Sequence, residues 1–286
     1  MPMIDLRALV TSLIGEEVHA LQLLGEGSDH LAYEVNHKLI VRVRKQPDAR
    51  AAAATAREGA LLTLLAEVSS VPVPSVVKLD SSRCAIVMTK LRGTSLFEAP
   101  SRDPMALCDQ LGSFLSGIHG LSLEHVRDVA PLEDTGLDVF LAEAMEHVPF
   151  VAGHLPPEGR RVLETFVSTP PPAAPSMVTF CHNDLGAEHL LAISDGTVLT
   201  GVIDWSDAAL ADPARDLGLI FRDLGPDVAA AVLSLSDLTH SDAMWIRAAF
   251  YARCALVEDL AYGLRAPDRR YVEHALRHFK RTFENG

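Results

Sequence analysis

Hydrophobic and polar positions alternate along the first third of the chain in the way that is typical of β-strands. In the run Lys38–Arg44, the side chains alternate between two faces. Arg42 lies on one face, and the opposite face carries Leu39, Val41 and Val43. The alternation predicts a strand on which Arg42 is either solvated or held by a partner.

The neighbouring runs predict a strand-rich N-terminal region that contains one helix. Leu31–Asn36 is a second strand-like run, and Asn36-His37 is a plausible tight turn between the two. The Ala-rich segment Ala51–Leu65 is composed mainly of strong helix formers. Cys84–Met88 then predicts a short buried strand, so that this region extends from about residue 22 to residue 88.

From about Met105 the apolar positions recur at helical spacing. An amphipathic stripe ends at His119-Gly120, and we predict two further helices at Leu137–Val148 and Arg160–Val167. The proline-rich run 169–175 is incompatible with a helix interior and predicts a loop. After Asp216 the remaining pattern is helical, which makes the C-terminal part mainly α.

Composition and charge exclude several classes of protein. The 286 residues include 25 Lys and Arg against 38 Asp and Glu, so the formal net charge is −13. This balance argues against a nucleic-acid partner, and it is compatible with a cationic ligand or simply with a solvated acidic surface. The four cysteines form no CxxC pair, which argues against a zinc site or a disulfide framework. No signal sequence or membrane span is predicted, and we therefore expect a cytoplasmic protein.

The chemistry is concentrated between residues 180 and 216. Asp184 lies in a predicted loop, His189 follows five residues later, and Asp204 is the last residue of a predicted apolar strand, Val198–Asp204. Asp195-Gly196 predicts a hairpin turn between the two intervening strands. Phosphoryl transfer needs a carboxylate beside the acceptor hydroxyl and ligands for magnesium, and this order of residues matches that of a protein kinase.

These segments carry a family resemblance. The motifs His182-x-Asp184-x-x-x-x-His189, Ile203-Asp204-Trp205 and Asp212-Pro213-x-x-Asp216 resemble the signature of the aminoglycoside and macrolide phosphotransferases. The resemblance covers almost the whole chain and implies an α+β, two-lobed protein-kinase-like fold. We expect a small β-rich nucleotide-binding lobe at residues 1–90 and a larger, mainly helical catalytic and substrate-binding lobe at residues 91–286.

The resemblance also implies roles for individual residues. Asp184 would be the catalytic carboxylate, His189 and Asp204 would bind Mg²⁺, and Asp216 would brace the catalytic loop. His189 departs from protein kinases, which have Asn there, and a nitrogen is not the ligand that Mg²⁺ prefers. His182 would shape the loop.

For the nucleotide, the resemblance implies a phosphate-binding loop at Gly25, Gly27 and Ser28, although His30 replaces the third glycine of a kinase loop. Arg42 lies where the phosphate-pairing lysine of a kinase would be, and an arginine can bind phosphate bidentately. Its expected partner is Glu58, which falls on the apolar stripe of the Ala-rich helix and therefore needs a buried partner.

The base of the nucleotide should bind to main-chain groups of the connecting segment from Thr89 to Leu91. Nothing in the side chains of that segment selects between adenine and guanine, so the expected cofactors are ATP or GTP together with Mg²⁺.

The chemical identity of the acceptor is the part of the function that the sequence indicates least directly. Asp207, Glu258 and Asp259 are the candidate carboxylates for a cationic small-molecule acceptor, with a solvated helix face as the alternative for the last two. The residues at the motif positions are most similar to those of the aminoglycoside 2''-phosphotransferases. An antibiotic kinase, most simply for an aminoglycoside but alternatively for a macrolide, competes with a metabolic small-molecule kinase and with a catalytically silent binding protein. We expect a monomer.

Overall fold

The N-terminal strands form a sheet with Arg42 on a central strand. The computed structural model describes residues 6–27, 29–237, 241–266 and 268–284. The strands are β1 (Leu21–Glu26), β2 (His30–Val35), β3 (Leu39–Arg44), β4 (Val76–Asp80) and β5 (Ala85–Thr89). They are antiparallel in the order β1-β2-β3-β5-β4. Arg42 pairs with Ala32 of β2 and Ile86 of β5, as the alternating pattern requires.

Helices cover both faces of this sheet. Helix α1 (Leu6–Ile14) buries its apolar side chains against the face of Val41 and Val87. Helix α2 (Ala49–Val68) packs on the opposite face, the one that carries Arg42. Asp48 caps α2 by accepting a hydrogen bond from the Ala51 amide at 2.7 Å, which starts the helix two residues before the predicted position.

The C-terminal part is predominantly helical, as predicted. Its helices are α3 (Cys108–His119), α4 (Leu123–Val126), α5 (Leu137–Val151), α6 (Pro157–Val167), α7 (Ala214–Leu224), α8 (Pro226–Leu235), α9 (Asp242–Arg265) and α10 (Arg269–Glu284). Helix α9 packs against α5, α7 and α10 and forms the centre of the lobe. A Cβ atom at Gly218 of α7 would lie 2.8 Å from the Ala248 carbonyl oxygen, so this glycine lets α7 and α9 approach closely. None of the helices in the described ranges combines the length and the apolar character that a membrane span requires.

Short strands between the lobes hold the loops that carry the predicted chemistry. They are β6 (Thr94–Ser95), β7 (Thr179–Cys181), β8 (Leu190–Ala192), β9 (Leu199–Val202) and β10 (Ala209–Ala211). β8 pairs with β6 and β9, whereas β7 pairs with β10. The predicted turn between β8 and β9 is present, with Gly196 at a φ of 71°. Asp204 lies two residues beyond the end of β9 rather than on the strand, because the backbone turns there with a φ of 57° at Asp204.

Candidate active site

The loop that carries Asp184 is fixed from beneath by a buried carboxylate. Asp216, at the start of α7, accepts hydrogen bonds from the backbone amides of His182 at 3.0 Å and Asn183 at 2.7 Å. It also contacts Nε2 of His119 at 2.9 Å. Burial acts to raise the pKa of Asp216, but the hydrogen bonds from His119 and the Asn183 amide and the charges of His119 and His182 together lower it. The predicted bracing role of Asp216 is confirmed by these contacts.

His182 connects this loop to the one that carries Asp204. Its Nε2 lies 3.0 Å from the carbonyl oxygen of Ile203 and donates to it, which leaves Nδ1 as the acceptor for the Asp184 amide at 3.3 Å. Burial, together with the charge of His189, lowers the pKa of His182, so the neutral tautomer with Nε2–H fits both contacts. The ring also lies 4.5 Å from that of Trp205. His182 therefore shapes the loops, as expected, and its nitrogens are used by the backbone.

The imidazole ring of His189 is oriented by the backbone of Asp184. Its Nδ1 lies 2.7 Å from the carbonyl oxygen of Asp184 and donates to it, so Nε2 is the nitrogen left for a ligand. Burial acts to lower the pKa of His189, but the charges of Asp184 and Asp204 raise it overall. The same Nδ1 is 3.5 Å from a carboxylate oxygen of Asp184.

Several carboxylates lie near His189, and their negative charge favours binding of a cation. Asp184 and Asp204 each expose about 40% of their side chains. Burial acts to raise the pKa of Asp204, but the charges of Arg42 and His189 and the hydrogen bond from Ser206 together outweigh it, so the pKa lies below its ordinary value. Partial burial and the charges of Asp184 and Asp204 raise the pKa of Asp207, a sign of uncompensated negative charge. An ionised Asp204 offers the hard oxygen ligand that a divalent metal ion prefers, and Nε2 of His189, which makes no hydrogen bond among the described residues, would be the second donor.

Arg42 joins the two lobes at the same place. Its Nη1 lies 2.8 Å from Oε1 of Glu58 and 3.4 Å from Oδ1 of Asp204, and its Nη2 donates to Oγ of Ser206 at 2.9 Å. The predicted pairing of Arg42 with Glu58 is thus present. Burial raises the pKa of Glu58, and the charge of Arg42 opposes this rise. Glu58 on one side and Asp204 with Ser206 on the other therefore fix the Arg42 guanidinium in a position where it could bind a phosphate group.

His30, the first residue of β2, lies beside Arg42. Nδ1 of His30 is 3.1 Å from Nη2 of Arg42, and burial and the charge of Arg42 lower the pKa of His30 to about 4. A Cβ atom at Gly27 would lie 3.0 Å from the His30 ring, whereas one at Gly25 would meet nothing within 4 Å. Ser28, the third residue predicted for the phosphate-binding loop, lies outside the described residues.

Of the backbone amides from Thr89 to Leu91, one is available to a base. The Thr89 amide donates to the carbonyl oxygen of Ser75 and the Lys90 amide to that of Lys38, both at 2.9 Å. Among the described residues the Leu91 amide has no hydrogen-bond partner. The Leu91 side chain packs over Gly201, where a Cβ atom would lie 2.4 Å from it. Of the two residues predicted to bind the base, Thr89 therefore has its amide engaged in the sheet.

On the other side of Asp184 a cleft of about 280 Å³ opens between α5, α7, α9 and α10. We call it the acidic cleft because five carboxylates line it: Glu143, Asp184, Glu188, Glu258 and Asp259. Aromatic rings contribute to its walls, namely Phe140, Tyr251, Tyr262 and Tyr271. The structure thus brings the predicted Glu258 and Asp259 together with Asp184. It places Asp207 outside the lining of this cleft, beside the metal-binding candidates.

Asp259 differs from its neighbour Glu258 in having a cationic partner. Nη1 of Arg222 lies 2.8 Å from Oδ2 of Asp259, and the Arg222 side chain is only 5% exposed. Burial raises the pKa of Asp259, the neighbouring Glu188 and Asp223 add to this, and Arg222 opposes it. Glu258, in contrast, is exposed to solvent. The alternative of a solvated helix face therefore still fits Glu258, whereas Asp259 is partly buried and ion-paired.

The sequence profile of the phosphotransferase enzyme family matches residues 20–251, which include every catalytic and metal-binding candidate named above. The chain belongs to this family. It is accordingly a phosphotransferase with an alcohol group as acceptor, and the resemblance read from the motifs is confirmed.

Solved structures show the same fold. The chain is similar to APH(2")-IIia in complex with GDP and kanamycin, with 22% identity, a TM-score of 0.71 and 98% coverage of both chains. It is also similar to a ternary complex of APH(2")-IIa with streptomycin and ATP, with 18% identity, a TM-score of 0.61 and 99% coverage of both chains. For the macrolide 2'-phosphotransferase MphH from Brachybacterium faecium, the identity is 19%, the TM-score is 0.61, and the coverage is 98% of this chain and 97% of that one. The expected kinase-like α+β fold is thereby confirmed.

Several residues of this phosphotransferase site were missed by the sequence analysis. Glu143 belongs to α5, about forty residues before Asp184, and nothing in its local pattern marks it as different from other exposed acidic residues. Glu188 lies inside the catalytic motif but had no assigned role. Arg222 could have been noticed, because it lies on α7 at a position where its neighbours Phe221 and Leu224 are buried.

Proposed function

We propose that this enzyme transfers the γ-phosphoryl group of ATP or GTP to a hydroxyl group of an aminoglycoside and thereby inactivates it. The observation that carries the proposal is the acidic cleft that ends at Asp184. An aminoglycoside carries several ammonium groups, and carboxylates in a partly desolvated cleft are the side chains that bind them best.

In this proposal Asp184 accepts the proton of the attacking hydroxyl while it orients the oxygen towards the γ-phosphorus. The new oxygen–phosphorus bond forms as the bond from the γ-phosphorus to the leaving diphosphate breaks. His189 and Asp204 would hold Mg²⁺, which supplies charge neutralisation to the phosphates when it is bound. Asp216 and His182 keep the loop in one conformation, so that little reorganisation is required during the reaction.

The N-terminal residues would bind the nucleotide. We infer a boundary near residue 90, with residues 1–90 forming the nucleotide lobe and residues 91–286 the catalytic and acceptor lobe. Arg42, held by Glu58, would contact phosphate oxygens beneath the loop of Gly25 and Gly27. The Leu91 amide would donate to the base, which suits adenine and guanine alike.

A macrolide is the second candidate, and the aromatic rings of the same cleft favour it. Phe140 and Tyr251 pack edge to face at 5.4 Å, and Tyr262 and Tyr271 do so at 4.9 Å, so the walls offer apolar surface. A macrolide would use this surface and would depend little on the carboxylates.

One experiment separates these candidates. Purified protein is incubated with kanamycin, gentamicin, streptomycin or a macrolide, each with Mg²⁺ and either ATP or GTP, and phosphorylated products are detected by mass spectrometry. We expect product with at least one aminoglycoside, and product formation slower by about a hundredfold or more with the variant Asp184→Asn. Product with the macrolide alone would replace the first proposal by the second. Absence of product from all of these acceptors would overturn both.

A further inference from the structure

The two adjacent carboxylates on α9 have different surroundings. Asp259 is ion-paired to Arg222, and only 17% of its side chain is exposed. Glu258 is exposed and lines the cleft, and among the described residues it has no ion pair or hydrogen bond. The difference suggests that the cleft wall contains one carboxylate for a ligand and one for the protein itself.

Arg222 connects Asp259 to a second, fully buried carboxylate. Its Nε and Nη2 donate to the two oxygens of Asp223 at 2.7 and 2.9 Å, which is the bidentate geometry that a guanidinium favours. Its remaining Nη1 contacts Asp259. Arg222 therefore uses its planar fork to hold two carboxylates that would otherwise repel each other.

Asp223 in turn holds the catalytic loop. Oδ2 of Asp223 accepts a hydrogen bond from the backbone amide of Ala187 at 2.6 Å, between Asp184 and His189 in sequence. A Cβ atom at Gly186 would lie 2.5 Å from Nη2 of Arg222, so the loop lies directly on the guanidinium. Asp216 fixes the first half of this loop at His182 and Asn183, and Asp223 fixes the second half.

We propose that Arg222, Asp223 and Asp259 are positioning residues that form one unit, and that this unit fixes the second half of the catalytic loop. Asp259 belongs to this unit and not to the carboxylates that bind the acceptor, so that Glu258 alone of the adjacent pair is free for the acceptor. The unit determines how well Asp184 and His189 are placed, and it thereby affects turnover more than acceptor affinity. The part of this inference that concerns the acceptor rests on the proposed function, whereas the part that concerns the loop does not.

The loop part is tested by amide hydrogen exchange of the full-length protein without ligand, with overlapping peptides that resolve Ala187. Lysine cannot reproduce the bidentate fork, so Arg222→Lys should speed the exchange of Ala187 about tenfold. Asp259→Asn should speed it in the same direction to a smaller extent. Glu258→Gln should leave it as in the wild type, and Glu146→Gln, at an exposed position of α5 away from the cleft, serves as a further control.

The kinetic part uses kanamycin as the acceptor and hydrolysis of the nucleotide by water as an acceptor-independent rate. Arg222→Lys and Asp259→Asn should lower kcat of both reactions and leave KM for kanamycin within about twofold of the wild type. Glu258→Gln should raise KM for kanamycin. A smaller fraction of folded protein would also lower kcat and leave KM unchanged, so kcat of each variant is expressed per folded enzyme, with the folded fraction measured by circular dichroism.

Unchanged exchange at Ala187 in both Arg222→Lys and Asp259→Asn would overturn the proposal. It would also be overturned if Asp259→Asn raised KM for kanamycin as Glu258→Gln does and left the exchange unaltered, because Asp259 would then be an acceptor ligand. If kanamycin is not phosphorylated, the aminoglycoside proposal loses support, but the exchange and hydrolysis measurements still decide the role of the unit. Should Arg222→Lys not fold, the partly exposed Asp259→Asn decides the question by the same measurements.

Discussion

The imidazole Nδ1 of His189 lies 2.7 Å from the backbone carbonyl oxygen of Asp184. The candidate metal ligand and the candidate catalytic residue are therefore oriented by one another through the main chain. A change at either position has two consequences, one for its own chemistry and one for the geometry of the loop. The predictions that follow separate these consequences.

Removal of the catalytic carboxylate should affect turnover and spare nucleotide binding. Asp184→Ala deletes the group that would accept the hydroxyl proton, and the loss of a positioned acid–base group lowers turnover by about a hundredfold to ten-thousandfold. The backbone carbonyl that orients His189 is retained in this variant. Steady-state kinetics and calorimetric titration with nucleotide measure the two quantities. Turnover within a few fold of the wild type at saturating substrate would contradict the assignment of Asp184.

The two metal-binding candidates should differ in their sensitivity to substitution. Asp204→Asn removes a charge as well as a ligand, so Mg²⁺-dependent nucleotide binding and activity should both weaken. His189→Asn should be milder, because it restores the ligand type that kinases have at this position. Magnesium titrations monitored by binding of a fluorescent nucleotide provide the measurement, with Asp128→Asn at an exposed position as the control. A His189 variant with a magnesium titration identical to that of the wild type would show that His189 is not a ligand.

Acceptor affinity should depend on the carboxylates of the cleft that have no cationic partner. For a polycationic acceptor, the double substitution Glu143→Gln with Glu258→Gln should raise KM about tenfold or more, which corresponds to 1.4 kcal/mol or more. Added salt should raise KM of the wild type in the same direction, since part of the attraction is screened. Glu146→Gln provides a matched control one helical turn after Glu143. A KM that responds to neither treatment indicates a neutral acceptor.

Stability should fall on mild acidification because two histidines are buried in neutral form on α10. Burial lowers the pKa of His274 to about 4 and that of His278 to about 3. Both values lie below the unfolded pKa of about 6.5, so the unfolded chain binds more protons between these limits. Their contribution is therefore fully present above pH 6.5 and is lost as the pH falls towards the folded values.

Urea denaturation at pH 7 and at pH 5 measures this loss. We expect the free energy of unfolding to decrease over this interval by an amount on the order of 1–2 kcal/mol for each of the two histidines. The double variant His274→Gln with His278→Gln should lose most of that dependence, whatever its stability at pH 7. If the variant and the wild type show the same difference between the two pH values, other groups are responsible.

The catalytic motif, the lobe composition and the Arg42–Glu58 pair could all be predicted from the sequence, because each rests on local information. Alternation marks β3, helical periodicity marks α2 and α3, and the spacing of Asp184, His189 and Asp204 reflects one hairpin between two loops. Glu58 could be matched to Arg42 because a carboxylate on an apolar helical stripe needs a buried partner, and the structure places the two at 2.8 Å.

The acidic cleft depends on the tertiary structure. Glu143, Glu188 and Glu258 come from separate parts of the chain, and only the packing of α5 and α9 around the catalytic loop brings their charges together. In sequence, Glu258 and Asp259 are adjacent residues of like charge with nothing to distinguish them. The structure distinguishes them because a side chain of α7, Arg222, reaches Asp259 alone. Local spacing thus determined the order of the motif residues on which the proposed phosphoryl chemistry rests, whereas long-range packing decided which cleft carboxylates have no cationic partner among the described residues.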